Sequence, residues 1–524
     1  MLQVRTFRHL LVEAAARFGD QQFLIDDHAL GAVSYADLLR FASGLEAQFN
    51  ECGIPIGAPV ATLFHNCGIA ALLFLATLAS RRVLVPLNPL STKYELDYVL
   101  DRARCVAVIA DPAHAKCNDF GDRRTISVPD HRDYFATRCA TPARMTVDLD
   151  DPEATDTFVG EVVFTSGSTG RPKGVVLSER SLLADALALG VAYDLRSTDR
   201  FLTVCPLFHN SGQVFTTLAC ALAGGSTVAI KSDIGMLHFW SYVHKYRAHW
   251  TLGMTSFLAM LLSGPDAPSS ARSMRGVLTG GSAIDGSLVK NFELRFGAPV
   301  RTVYGLTETA SISTCEFANP SPRSVGSSGR PLPICKVVID SGAGCPAPFA
   351  PPVPRHQGEI LISGDNLFEG YVGDAELTRS RKRDGWLHTG DVGYFDANGN
   401  LFVVDRIDSM LIVGGENVYP AEVEKLCTFL PGAAQIVLTG VDHPIWGKEL
   451  VLVYKAGNGA TPSVGSWHRI LAEQLAAAKI PQRYVSIRDL GLEDFPRKEN
   501  GKLDRTAVAL LLRSQTQDVA GARG

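Results

Sequence analysis

The sequence predicts an α/β protein: a large layered N-terminal domain of β-sheets and helices, joined by a hinge to a small α+β C-terminal domain. Three observations carry this expectation. Helix-like and strand-like segments alternate up to about residue 400, the texture changes near Asp405–Asp408, and 524 residues is too long a chain for one hydrophobic core.

The elements follow in order. Phe7, Leu10, Leu11, Ala14 and Phe18 share one helical face, with Arg5, Arg8 and Arg17 opposite. Glu13 and Asp20 interrupt that positive charge and no apolar signal core follows, so this is an amphipathic first helix rather than a presequence. Ser34 to Asn50 has helical period, Pro59 to Phe64 reads as a strand, Ile69 to Ala79 as a helix, and Val83 to Leu87 as a strand. Lys93 to Arg104 (helix) and Val106 to Ala110 (strand) continue the alternation. The apolar run ending at Ala79 meets Ser80, Arg81 and Arg82 well short of the ~20 residues of a membrane span, so it is a buried helix. Ser341 to His356, rich in proline and small residues, is a surface loop.

Beyond Asp408 come a strand at Met410–Val413, a turn at Gly414–Asn417, a helix at Pro420–Phe429 and strands at Gln435–Thr439 and Leu450–Lys455. A helix at Trp467–Ala478 and a strand at Arg483–Ile487 complete a unit of roughly a hundred residues, a usual domain size. The expected boundaries are 1–405 for the large domain and 406–513 for the small mobile one, with 514–524 a disordered tail.

Composition is that of a soluble enzyme: 46% hydrophobic, 20% charged, net charge −4, with no charge excess to attract nucleic acid or an acidic membrane. The eleven cysteines contain no CxxC pair, which argues against a zinc site or a disulfide framework and for a cytoplasmic location.

The chemistry is concentrated in short motifs. TSGSTGRPKGV, residues 165–175, follows apolar Val162, Val163 and Phe164. Its glycines let amide N–H groups converge on an anion, while its hydroxyls and cations add donors and charge. It lacks the GK[ST] ending of a kinase-type or GTPase-type phosphate loop, and such a cluster also occurs as a plain polar loop. In YGLTE (304–308) an aromatic beside glycine can stack on a base, and Glu308 can ligate a hard cation; alone it is also a simple turn. Asp391, in TGD, can accept hydrogen bonds from ribose hydroxyls. PRKENGK (496–502) places Lys502 in a turn from which an ammonium can reach changing charge, although most such lysines are solvated.

In this order and spacing these segments, with PLFHNSG (206–212), Gly280–Ala283, Gly358–Tyr371, GWLHTGD (385–391), Arg406–Asp408 and GGENVYPAEVE (414–424), resemble the acyl-adenylate-forming superfamily over nearly the whole chain. That superfamily comprises acyl-CoA synthetases, carrier-protein adenylation domains and luciferases. The resemblance implies that Thr165, Ser166, Gly167, Ser168, Thr169 and Lys173 hold the β- and γ-phosphates of ATP, with Glu308 binding Mg²⁺. Gly281, Ser282, Ala283 and Tyr304, with Gly305 and Thr307 beside them, would hold adenine, and Asp391 and Arg406 ribose. Asp408 would be the hinge and Lys502 the catalytic lysine.

Three places depart from the family pattern. Thr302 stands where an amide or acid commonly meets adenine, Ser178 and Glu179 interrupt a Thr-His-x-Asn stretch, and Ser80, Arg81 and Arg82 replace small residues.

The expected activity is ATP-dependent activation of a carboxylic acid to an acyl-adenylate, then transfer to a thiol. Gly414 and Gly415 resemble the turn lining the pantetheine passage of CoA ligases, so CoA is the expected acceptor; the same glycines also suit any tight turn. A stand-alone enzyme that loads the phosphopantetheine of a freestanding carrier protein, or uses a nitrogen nucleophile, is the alternative. Phe208, His209, Asn210, Gly280, Leu306 and Ser311 are the expected acid-pocket residues, His209 as a gate or wall. No acidic side chain stands at His209 or Asn210 to hold an α-ammonium, which favours an aromatic or modest apolar acid over an amino acid. Asn210 could bond a substituent on that acid or cap a helix.

Overall fold

A computed structural model describes residues 1–117, 119–147, 158–165, 172–230, 238–264, 267, 273–281, 286–318, 323–340, 357–413, 416–427, 429–443, 447–457, 462–475, 477–497 and 503–521. The alternating pattern folds into stacked sheets with helices between and outside them. One sheet has nine strands and a parallel centre formed by Val300–Tyr304, Gly276–Gly280, Trp250–Met254, Arg200–Thr203 and Ser226–Ala229. Parallel pairing brings the carboxyl ends of Gly280 and Tyr304 out along one edge, where open α/β sheets form their crevices. A second sheet of seven strands carries the hairpin Val159–Thr165/Lys173–Ser178, flanked by Gly370–Tyr371 and Val83–Leu87.

One apolar cluster joins the two sheets, from Leu84 and Val163 on one to Phe201, Trp250 and Leu278 on the other. The helix Gly68–Ala79 touches strands of both sheets and is buried around its circumference, as its unbroken apolar run requires. Helices Phe7–Phe18 and Tyr35–Glu51 pack beside it, started by Thr6, which accepts from the His9 N–H, and by a capping box between Ser34 and Asp37.

The family-pattern departures have structural partners. Ser178 caps helix Glu179–Ala192, and Glu179 accepts the Phe7 N–H at 3.0 Å, which ties down the N-terminal helix. Buried Arg82 donates to the Ser80 and Ile54 carbonyls at 2.7 Å and to Asn50 at 2.6 Å, tying the end of one helix to the next strand.

A third sheet contains Gly358–Gly364, Trp386–Phe395 and Leu401–Arg406. A fourth is built only from residues 411–486, around the long hairpin Ala433–His443/Gly447–Ala456, and has its own core of Val423, Leu438, Leu452 and Trp467. These features correct three details of the sequence reading. The expected turn at 414–417 gives way to strand from Glu416, since residues 416–418 pair with 411–413. The helix expected at Trp467–Ala478 runs Val464–Ala472, and the last helix continues from Arg505 to Gly521, where a tail was expected from 514. Residues 505–520 contain no glycine or proline to stop it.

Candidate active site

The phosphate-loop hairpin is closed by Thr165 and Lys173, direct register partners at its mouth. The next strand brings Tyr371 against it, with the Lys173 ammonium 6.0 Å from the Tyr371 ring centre. The Tyr371 hydroxyl donates to Glu308 Oε1 at 2.7 Å, so the hairpin, the GY element and YGLTE converge on one carboxylate. Burial, then the charge of Glu308, pushes the Tyr371 phenol well above its ordinary range and keeps it a donor. Tyr371 stood in the motif, but its role was not legible because its partner is 63 residues away.

Glu308 lies in the short turn Thr307–Thr309, just beyond the strand ending at Tyr304. At Gly305 a Cβ would come within 2.0 Å of the Ser311 carbonyl, so the motif's glycine is needed for the chain to fold back there. Ala310 follows with φ +59°, a conformation unfavourable to a residue with a Cβ, and the Asn210 amide donates to its carbonyl. Asn210 is buried at the start of a short helix and its N–H₂ group is committed to backbone. Of the roles left open for it, holding backbone is the one seen, although at Ala310 rather than at its own helix.

The corner expected to hold ribose is densely bonded. The Tyr304 hydroxyl donates to Asp391 Oδ2 at 2.8 Å, Arg406 reaches Asp391 Oδ1 at 3.2 Å, and Arg406 Nε reaches Asp408 at 3.3 Å. Strand pairing sets this up, because Asp391 and Arg406 are register partners. Burial works against the Arg406 charge, but Asp391 and Asp408 outweigh it and raise its pKa. Thr389, of the same TGD, accepts the Asp391 N–H at 3.0 Å and donates to the Ile360 carbonyl at 2.7 Å. Thr302 spends its hydroxyl proton on the Ser327 carbonyl at 2.6 Å, which leaves the oxygen as an acceptor only.

The Phe208 and His209 rings pack at a tilt of 47°, with centres 4.5 Å apart, where the segment enters its helix. Behind them lies a small, partly open cleft lined by Thr62, Phe64, Phe74, Leu84, Phe208 and Gln213. Gly280 sits where a Cβ would meet the Val303 carbonyl at 2.5 Å, and Gly281 has φ +79°. Leu306 and Ser311 flank the Glu308 turn, with the Ser311 hydroxyl buried and unpartnered. The structure thus brings together Thr165, Lys173 and Glu308, and separately Tyr304, Asp391, Arg406 and Asp408. Ser166, Gly167, Ser168, Thr169, Ser282, Ala283, Gly414, Gly415 and Lys502 lie outside the described residues. An antiparallel bridge between Arg497 and Leu503 brackets the segment that carries Lys502.

Residues 11–372 match the AMP-binding enzyme family. The chain belongs to that family. It is 28% identical over 510 residues to the sulfoacetate–CoA ligase of Cupriavidus necator, covering 95% of this chain and 96% of that one. It is 32% identical over 458 residues to a feruloyl-CoA synthase of Amycolatopsis sp, covering 87% and 90%. Its fold matches the o-succinylbenzoate CoA synthetase of Bacillus subtilis bound to an acyl-adenylate, with a TM-score of 0.81, 25% identity and coverage of 95% and 97%. That enzyme is also known with ATP and magnesium ion, where the TM-score is 0.78, with 25% identity and coverage of 95% and 98%. This ligase is an ATP-dependent, AMP-forming acid–CoA ligase with a large N-terminal and a small C-terminal domain. No described helix is long and apolar enough to cross a membrane.

The donor set fits these groups. Among the described residues no cluster of three or more His, Cys, Asp or Glu side chains could cage a metal, so Mg²⁺ would be held by Glu308 and substrate phosphates, as this reluctantly dehydrated ion prefers. At Gly390, with φ +72°, a Cβ would approach Arg381 and Arg406 nitrogens at 2.7 and 3.1 Å, leaving backbone alone beside the ribose-binding pair.

Proposed function

We propose that this ligase activates an aromatic or modestly apolar carboxylic acid, and that the residue roles implied by its motifs hold. The cleft behind Phe208 and His209, walled mainly by Phe64, Phe74, Leu84, Leu207 and Phe208, is the observation that carries the acid class. It suits a ring or short chain better than a charged substituent, because a charge there would lose its hydration without a partner. Feruloyl-CoA synthase, a relative on an aromatic acid, agrees with this reading.

In the first step a carboxylate oxygen attacks the α-phosphorus of ATP and the bond to pyrophosphate breaks. Thr165 and Lys173, at the mouth of their hairpin, orient the β- and γ-phosphates with the loop between them, and Glu308 faces the same charge. Bound Mg²⁺ supplies neutralisation of phosphate charge. Tyr304, Asp391 and Arg406 fix the nucleoside so that the α-phosphorus is presented in line. In the second step the CoA sulfur attacks the acyl carbon, the bond to AMP breaks, and a closed site keeps water from competing.

The domain boundaries at 405 and 513 belong to this reading, with Asp408 as hinge in the turn Ile407–Ser409 and Lys502 delivered by the small domain. Asp405 accepts the Ala421 N–H at 2.8 Å, a bond that the hinge motion would strain. A cytoplasmic location fits the free thiols of the described cysteines, among which burial pushes Cys105 and Cys315 up to about 12.

Single-turnover assays of each half-reaction test the scheme. Lys502→Ala should lose adenylation by on the order of 10² or more yet convert supplied acyl-AMP, as for removal of one group that stabilises transition-state charge. Asp408→Pro should retain adenylation and lose thioester formation. Equal damage to both steps by both substitutions would defeat the two-conformation scheme.

A further inference from the structure

The cleft behind Phe208 is lined by apolar side chains except Thr62 and Gln213. Gln213 is 1% exposed, with its Oε1 buried and unpartnered among the described residues. Glu161 stands beside it on the strand Val159–Thr165, fully buried. It is the parallel register partner of Leu84, which lines the cleft, so both side chains project to the same face of the sheet. Neither Glu161 oxygen has a hydrogen-bond partner among the described residues, and the nearby Gln213 amide is the one polar group acting on its carboxyl.

Orphaned buried polar groups are costly, each worth about 1–3 kcal/mol of lost solvation, and proteins retain few without a reason. Glu161 and Gln213, side by side at the edge of this cleft, offer a donor and an acceptor that one ligand group could complete. Burial, only partly opposed by the Gln213 amide, pushes the Glu161 carboxyl up to about 8, so at neutral pH it is a neutral acid with an O–H to donate. Gln213 Oε1 accepts. A hydroxyl both donates and accepts, and so satisfies both.

We propose that Glu161 and Gln213 are specificity-determining residues that hold a hydroxyl at the far end of an apolar-bodied carboxylic acid. The inference rests on the acid pocket lying behind Phe208, as in the function proposed above. A substrate ammonium would instead need Glu161 ionised among apolar walls, a buried pair whose desolvation is expensive.

The test is pyrophosphate release by the full chain with ATP and Mg²⁺ on three matched acids: 3-(4-hydroxyphenyl)propanoate, 3-phenylpropanoate and 3-(4-aminomethylphenyl)propanoate. The wild type should favour the hydroxylated acid over its parent by on the order of 10² or more in kcat/KM, as expected where a site is built to bond a hydroxyl. Glu161→Leu and Gln213→Leu should bring that ratio to within about threefold with the KM for ATP unchanged, and Glu161→Gln, which keeps a donor, should restore part of it. A wild-type ratio near one, preference for the aminomethyl acid, or a ratio untouched in Gln213→Leu and Glu161→Gln would each overturn the proposal. Phe208→Ala separates the two levels: it should shift KM for all three acids alike. If it shifts none, the pocket is misplaced and both readings fall; if it shifts them while the Glu161 and Gln213 variants keep the ratio, only the hydroxyl inference falls.

Discussion

The two ends of the site are built on opposite principles. At the end proposed for ribose, Tyr304, Thr389, Asp391, Arg406 and Asp408 bond to one another or to backbone. At the end proposed for the acid, Glu161, Gln213 and Ser311 each bury a polar oxygen without a partner among the described residues. A corner whose groups are already satisfied is rigid before ligand arrives, and suits a nucleotide that is the same in every turnover. Groups left unsatisfied gain most from the one ligand that completes them, and so discriminate between acids.

Substitutions should therefore separate by substrate, and the largest effect should fall where the two ends meet. Glu308→Gln removes the charge facing Mg²⁺ while a side chain of the same shape can still accept from Tyr371, and should slow adenylation by on the order of 10² with the fold intact. An unchanged rate and Mg²⁺ dependence would remove Glu308 from the site. Asp391→Ala strips the ribose end and leaves Arg406 with Asp408 alone. Loss of hydrogen bonds to a charged group at about 1.5–3 kcal/mol should raise the KM for ATP by roughly tenfold to a hundredfold, with acid preference unmoved. A shift in acid preference instead would break the comparison.

His209→Ala should do the reverse, altering acid preference by a few-fold, about the worth of lost apolar contact, with ATP affinity held. If ATP KM rises while the acid profile stays fixed, His209 faces the nucleotide. A smaller and slower signal comes from pH. In the unfolded chain Glu161 ionises at its ordinary 4.5, and in the folded protein burial holds the proton up to about 8. Between those values the folded state binds more protons, so the stabilisation is complete below 4.5 and is lost as pH rises to about 8. Glu161→Gln has no such slope, so its Tm should gain on the wild type by a few degrees across that window in calorimetry, each kcal/mol being worth about one degree in a chain of this size. Parallel curves would mean that Glu161 is hydrated and not an orphan.

Much of this was legible in sequence because its signals are local. The all-apolar run at 69–79, the Ser34–Asp37 box and the glycines of YGLTE and TGD state their structural needs within a few residues, and each element formed where its pattern stood. Glu161 was visible as a carboxylate beside an apolar run, but nothing local says whether such a strand residue faces solvent, a partner or a cavity.

By itself the sequence determined the α/β class, the order of elements, the family and the set of groups that can meet ATP, because periodicity, turn chemistry and motif spacing are short-range properties. Tertiary structure decided which of those groups are already spent. Asn210 is committed to the Ala310 carbonyl, Thr302 to Ser327, and Tyr371 to Glu308, while both Glu161 oxygens and Gln213 Oε1 have no close hydrogen-bond partner among the described residues. Each outcome depends on strands and helices up to 100 residues apart in the chain meeting at one place. Hydrogen-bond satisfaction is a property of that meeting and not of any segment.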